Sequence, residues 1–451
     1  MSFFSLVSIL ITLAAVTNYV NYRYIKLPTT IGVMLVALVA SLTLVLIGPY
    51  AWGIREQAAT LVSRIDFDQV VLHGMLAFLL FAAAIHVKFE DLGREWLPIS
   101  LLAIFGTLMS TCIVGGVTWL VLGWLGLEIP FLHALLFGAL ISPTDPIAVL
   151  GIMKSVGASR QLEAQVAGES LFNDGLGVVI FLVLLQLSGL GGAGGSGATA
   201  PHSIDVAAVG ILLLKEVGGA LVLALAAGLV TFQMLRRVDN YQVEVLLTLA
   251  LAMGLYALAD ALHLSAPIAV VVAGLFVGNH GRAFAMTEKT QEHVDTFWEL
   301  VDEILNVVLF LLIGLELLVL PIERGWLVAG VLAIPIVLAA RWLSIAGIIG
   351  PLRWVMAQSQ GAITILTWGG LRGAISVAMA LSLPANDSRS LILTLTYCVV
   401  VFSIVVQGLT VGRVIEIPAH ARAGETTGIV AGRPQSGRGK ETVDPIRAER
   451  D

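Results

Sequence analysis

Long apolar runs separated by short polar breaks occupy the chain from near its first residues to about Arg413. A helix that crosses the hydrocarbon core of a bilayer needs roughly 20 mainly apolar residues. Thirteen runs meet that need, centred near Leu10, Val39, Phe78, Cys112, Leu140, Val178, Leu223, Ala252, Val271, Leu309, Pro335, Ala374 and Val400. The pattern predicts an all-α polytopic membrane protein. No basic residue precedes the first run, and Arg23 and Lys26 follow it, so it reads as a spanning helix with its N-terminus outside rather than as a cleaved signal peptide. With sides alternating from there, Arg55, Arg64, Arg324 and Arg389 face outwards. Most other basic residues, among them Lys88, Lys154, Arg160, Arg236 and Arg237, fall on the cytoplasmic side with the C-terminus. Lys215, Arg341 and Arg372 lie in or near spans, Arg341 at the cytoplasmic end of its own. Two segments escape the pattern. Gly189 to Ser203 is rich in Gly, Ala and Ser and reads as a flexible outer loop, and residues 418–451 read as a disordered cytoplasmic tail behind a membrane domain of residues 1–417.

Composition agrees. The chain is 58% hydrophobic and 12% charged, against roughly 25% charged in a soluble domain. Its mean hydropathy is +0.94. Cys112 and Cys398 sit in apolar runs, and no Cys/His spacing suggests zinc. Nothing points to a cofactor, to nucleic acid or to a soluble protein partner.

Charge inside a span is costly and marks a pathway or a pair, so the few buried ionisable groups carry the chemistry. In the fifth span stands Ser142-Pro143-Thr144-Asp145-Pro146. Each proline removes a backbone donor and clashes with the preceding turn, which predicts a broken helix with freed carbonyls near Thr144. Backbone of that kind persists at membrane depth only inside protein or along a cavity. A carboxylate beside carbonyls and a hydroxyl suits a hard cation such as Na+, and Asp145 could also cap the second half-helix. In the sixth span, Glu169, Ser170, Asn173 and Asp174 lie within Gly168 to Gly177. Ser170 and Asp174 are i and i+4, so they share a face, with Asn173 beside them. Gly168, Gly175 and Gly177 permit close helix approach. A carboxylate here can hold a proton or a cation, which is enough for exchange.

In the twelfth span, Gly369-Gly370-Leu371-Arg372-Gly373 weakens the helix around an arginine. Glu169 is its expected partner, and the arginine serves either as a structural brace or as a positive charge that lowers the site's proton affinity. Two interrupted spans at matching places in two halves point to inverted repeats around a midplane site. Asp302, Glu303 and Asn306 open the tenth span and read equally as a cytoplasmic funnel or as a solvated helix end. His86 ends the third span and reads as an interfacial histidine, with pH sensing the sharper alternative.

Thr144-Asp145-Pro146, Glu169-Ser170-Leu171-Phe172-Asn173-Asp174, Phe297 to Glu316 and Gly370-Leu371-Arg372-Gly373 together resemble the monovalent cation:proton antiporters of the NhaP type, over about Leu6 to Arg413. The resemblance implies thirteen helices and two crossed broken helices. It implies a dimerisation domain and a six-helix core domain that includes the spans near 69–188 and 293–412. It further implies elevator-like alternating access, a homodimer and a prokaryotic inner membrane. Carried over by position, Asp145, Ser170, Asp174 and the Thr144 carbonyl would hold Na+ or Li+, Asn173 would orient the site, and Glu169–Arg372 would brace it. The Asn173-Asp174 pair implies electroneutral exchange with H+, one for one. Where some relatives carry an acidic residue in the third span, this chain has Ala82. Exchange of K+ for H+ stays open as an alternative. An uncoupled channel lacks a filter or charged ring in this sequence, and an intramembrane protease lacks a His-Glu-x-x-His or paired aspartyl motif.

Overall fold

The computed structural model describes residues 3–47, 60, 69–190, 206–320, 323–354, 356, 361–384 and 386–416. Residues 191–203 of the Gly-rich loop, Arg55, Arg64 and the tail at 418–451 lie outside these. The described residues are helical almost throughout, with a single isolated bridge between Asp145 and Leu371 in place of any strand. Seven of their helices are long and apolar enough to cross a membrane. Several of the remaining apolar helices are shorter because the chain breaks within the span.

The main helices are α1 (Phe3–Val20), α2 (Thr29–Ile47), α3 (Leu76–Ile85), α4 (Thr107–Trp124), α5 (Phe131–Ile141), α6 (Ile147–Ser155), α7 (Arg160–Leu187), α8 (Val206–Leu235), α9 (Tyr241–Ala261), α10 (Ala266–Phe276), α11 (Glu288–Glu316), α12 (Arg324–Leu352), α13 (Ala362–Trp368), α14 (Ala374–Leu381) and α15 (Asp387–Phe402). Local chemistry sets several starts. Ser159 Oγ accepts from Leu162 N at 3.4 Å, Asn240 Oδ1 from Gln242 N at 3.0 Å, and Asn386 Oδ1 from Arg389 N at 2.7 Å, each satisfying a donor that the first turn leaves free.

Two apolar clusters divide the interior. One joins α5, α7, α11, α12, α14 and α15; the other joins α3, α8, α9 and α10 around the fully buried Trp298, whose ring lies 4.7 Å from Phe81. With little hydrophobic drive between helices in lipid, close backbone approach does much of the packing work. α4 and α5 meet at Gly115, where a Cβ would stand 2.8 Å from Leu135 Cα. Gly175 faces Ile268 of α10 and Gly177 faces Pro143, as the glycine spacing predicted for α7.

Candidate ion-binding site

The break between α5 and α6 and the break between α13 and α14 cross each other. Asp145 N donates to Leu371 O at 2.8 Å, so the two extended segments meet main chain to main chain. Buried backbone must find partners, and most of the partners here can be named. Arg372 Nη1 donates to the carbonyls of Ser142 and Pro143, the latter at 3.0 Å. Its cation thus closes the C-terminal end of α5, where carbonyls and the helix dipole both present negative charge. Arg372 N donates to Ser403 Oγ at 2.9 Å, and Gln407 Nε2 donates to Trp368 O at 3.1 Å. Ser403 and Gln407 begin and end a π turn, Ser403–Gln407, that follows α15.

Asp145 sits at the crossing. Its Oδ1 accepts from Ile147 N at 2.9 Å and so caps α6. Gly373 lies against its other oxygen: a Cβ there would be 2.8 Å from Asp145 Oδ2. From α7, Ser170 Oγ donates to Thr144 O. Asn173 Nδ2 donates to Thr144 Oγ1 at 3.0 Å, and Thr144 N leans on Asn173 Oδ1 at 3.4 Å. Thr144, Ser170, Asn173 and Asp174 are all buried, and Asp145 is half-buried. Asp145 and Asp174 line one cavity of about 680 Å³, which also reaches His86, Lys88, Lys154, Arg160, Asp302 and Asn306. The Asp174 carboxylate accepts no hydrogen bond from a described residue. The site therefore offers two carboxylates, a carbonyl and hydroxyl oxygens at the end of an open cavity.

A family model described as sodium/hydrogen exchanger, transmembrane, matches residues 9–417. The chain belongs to the sodium/hydrogen exchanger family. Among its relatives, the Na(+)/H(+) antiporter NhaP of Pseudomonas aeruginosa is 49% identical over 91% of this chain and 96% of its own length. The Na(+)/H(+) antiporter NhaH of Halobacillus aidingensis is 37% identical over 91% and 97% respectively. Its fold is similar to that of the sodium proton antiporter MjNhaP1 from Methanocaldococcus jannaschii, with a TM-score of 0.72 at 21% identity over 92% of this chain and 99% of that one. The protein is thus a multi-pass membrane protein with the architecture of this antiporter fold.

Three expectations need correction in this exchanger-family chain. Glu169 does not pair with Arg372. It pairs with Arg341 of α12, whose Nη1 meets Oε1 and whose Nη2 donates to Oε2 at 2.9 Å and to Leu366 O at 3.2 Å. The fork of a guanidinium matches a carboxylate edge to edge, and Arg372 has already committed one arm to carbonyls. Arg341 therefore does not sit at a cytoplasmic helix end; it is buried within α12 and ties α7 to α13. Of the expected funnel, Asp302 and Asn306 line the cavity, but Glu303 is exposed elsewhere and Glu299 takes a place instead. Helical geometry explains this: 299, 302, 306 and 309 advance by three or four residues along one face, and 303 turns away. His86 reaches the cavity with Nδ1 held 2.6 Å from Ala82 O. Sequence reasoning had no means of choosing Arg341, because the pairing spans 172 positions and α12 is apolar all round.

Proposed function

We propose that this chain is a secondary antiporter that exchanges Na+, and also Li+, for H+ across a prokaryotic inner membrane by alternating access. The observation that carries the reading is that Asp145 and Asp174, from different helices, face one cavity at a crossing of broken helices. The NhaP and NhaH relatives are Na(+)/H(+) antiporters, which favours sodium over potassium as the cargo. On this reading the cation is held by Asp145, Asp174, Ser170 Oγ and the Thr144 carbonyl. Ser170 gives its hydrogen to that carbonyl and keeps its lone pairs for the ion. Asn173 holds Thr144 from two sides and adds no charge of its own, which supports exchange of one Na+ for one H+. Glu169–Arg341 braces α7, and Arg372 holds the proline break open.

A bound cation and a proton satisfy the same carboxylates, so one excludes the other and neither leaks. The cavity opens beside Lys88, Lys154 and Arg160. By the excess of basic residues on cytoplasmic loops, that side is the cytoplasm, the C-terminus shares it, and this is the inward-facing state. The moving core would comprise the spans near 69–188 and 293–412, working against a dimerisation domain within a homodimer. α3 lies at the seam between the two, since Phe81 packs in the cluster of α8 to α10.

The test is a dequenching assay in everted vesicles with Na+, Li+ and K+ at several pH values, with and without a membrane potential. Asp174→Asn should abolish cation-driven proton flux while the protein still inserts and keeps its unfolding temperature. Persistent Na+-driven flux in that variant would refute the assignment, and a larger response to K+ than to Na+ would replace the cargo.

A further inference from the structure

We propose that the Ser376 hydroxyl is a ligand of the transported cation, contributed by the second broken helix. This rests on the antiport reading above and adds to it the oxygen that the third span does not supply. A hard monovalent ion leaving water needs several oxygens to replace its hydration shell. On the α3 wall the cavity meets only Leu79, Leu80, Ala82 and Ala83 near the carboxylates, so that wall offers side-chain methyl and methylene groups. Among the described residues that line the cavity, Thr144 and Ser376 alone carry hydroxyls; Ser170 does not line it and gives its hydrogen to Thr144 O. The Thr144 hydroxyl already accepts from Asn173 Nδ2 at 3.0 Å.

Ser376 stands differently. It is 1% exposed, lines the cavity, and its hydroxyl makes no hydrogen bond to a described residue. The reason is local. A serine inside a helix commonly turns back to the carbonyl four residues earlier, as Ser344 does to Ala340 O at 2.8 Å. Four residues before Ser376 is Arg372, which lies in the extended crossing before α14 begins, so the helix offers no carbonyl at that place. The hydroxyl is therefore buried, polar and free.

Its direction follows from the helix. Gly373 touches Asp145, with its would-be Cβ 2.8 Å from Oδ2. Ser376 is the third residue of α14, in the first helical turn after Gly373, and both residues line the cavity. Side chains in a helix lean toward its N-terminus, which for Ser376 is the end of α14 where Gly373 adjoins Asp145. An ion bound between Asp145 and Asp174 would then touch both broken helices, α6 through Asp145 and α14 through Ser376, and would be carried by both when they move.

The experiment compares Ser376→Ala and Ser376→Thr with the native protein, full length, in everted vesicles and after purification. The first readout is the Na+ concentration for half-maximal exchange together with the maximal rate; Li+ is run in parallel. The second is the rise in unfolding temperature that Na+ gives the purified protein. Loss of one ligand to a charged centre should raise the half-saturating Na+ roughly tenfold in Ser376→Ala with the maximal rate near native. The Na+-dependent thermal shift should move to higher Na+ by the same factor, and Ser376→Thr, which keeps the hydroxyl, should restore most of both. An unchanged half-saturation in Ser376→Ala, a fall in maximal rate alone, or equal damage from alanine and threonine would each overturn the proposal. Activity in Asp174→Asn would instead remove the antiport reading itself, so the two failures are told apart.

Discussion

The two broken helices are built by opposite means. Between α5 and α6 the chain is interrupted by Pro143 and Pro146, and the residue left at the break is an acid, Asp145. Between α13 and α14 it is interrupted by Gly369, Gly370 and Gly373, and the residue left there is a base, Arg372. Proline breaks a helix by refusing a donor and colliding with the turn before it; glycine weakens it and lets another backbone come close. Each break then completes the other. The arginine of the glycine break binds the carbonyls that the proline break frees, and the glycine of one leaves room for the carboxylate of the other. Neither segment is stable at this depth alone, since each would leave main-chain groups without partners.

If the breaks hold each other, the variants that separate them should rank by how many of these bonds they remove. Arg372→Leu takes away the donors to Ser142 O and Pro143 O and the cation at the end of α5. It should cost about 3 kcal/mol and abolish exchange, read as a large fall in the unfolding temperature of detergent-solubilised protein alongside flat vesicle traces. Native-like melting would show that the proline break supports itself. Gly373→Ala places a methyl group against Asp145 from the other side. A cost of about 2 kcal/mol is expected, with most of the exchange lost because the displaced group is the carboxylate itself; transport at native rates would mean that the crossing has slack. Ser403→Ala removes one acceptor from Arg372 N and should cost about 1 kcal/mol, with exchange retained. Should its melting fall as far as that of Arg372→Leu, the ranking by bonds would be wrong.

Much of this was readable from the chain before any coordinates. The apolar runs showed a polytopic membrane protein, the Pro-Thr-Asp-Pro and Gly-Gly-Leu-Arg-Gly segments marked both interruptions, and helical spacing grouped Ser170, Asn173 and Asp174. Those readings depend on local chemistry: proline has no N–H, glycine has no Cβ, and residues four apart on a helix share a face. Glu303 shows where the local rule needed a reference direction. Its spacing relative to Asp302 was visible, but the side of α11 that meets the cavity was not, and the cavity takes Glu299, Asp302 and Asn306. Glu169 shows the larger gap. Two buried arginines were available to it, and composition could not rank them.

The sequence by itself determined which residues could not remain ordinary helix and which charges had to be buried, because both are properties of a residue and its near neighbours in a solvent without water. Tertiary structure decided who satisfies whom: Arg341 for Glu169, Arg372 for the carbonyls of Ser142 and Pro143, Gly373 for Asp145, and the open hydroxyl of Ser376. These partners come from helices far apart in the chain, and only the crossing of the two broken spans brings them within hydrogen-bonding range.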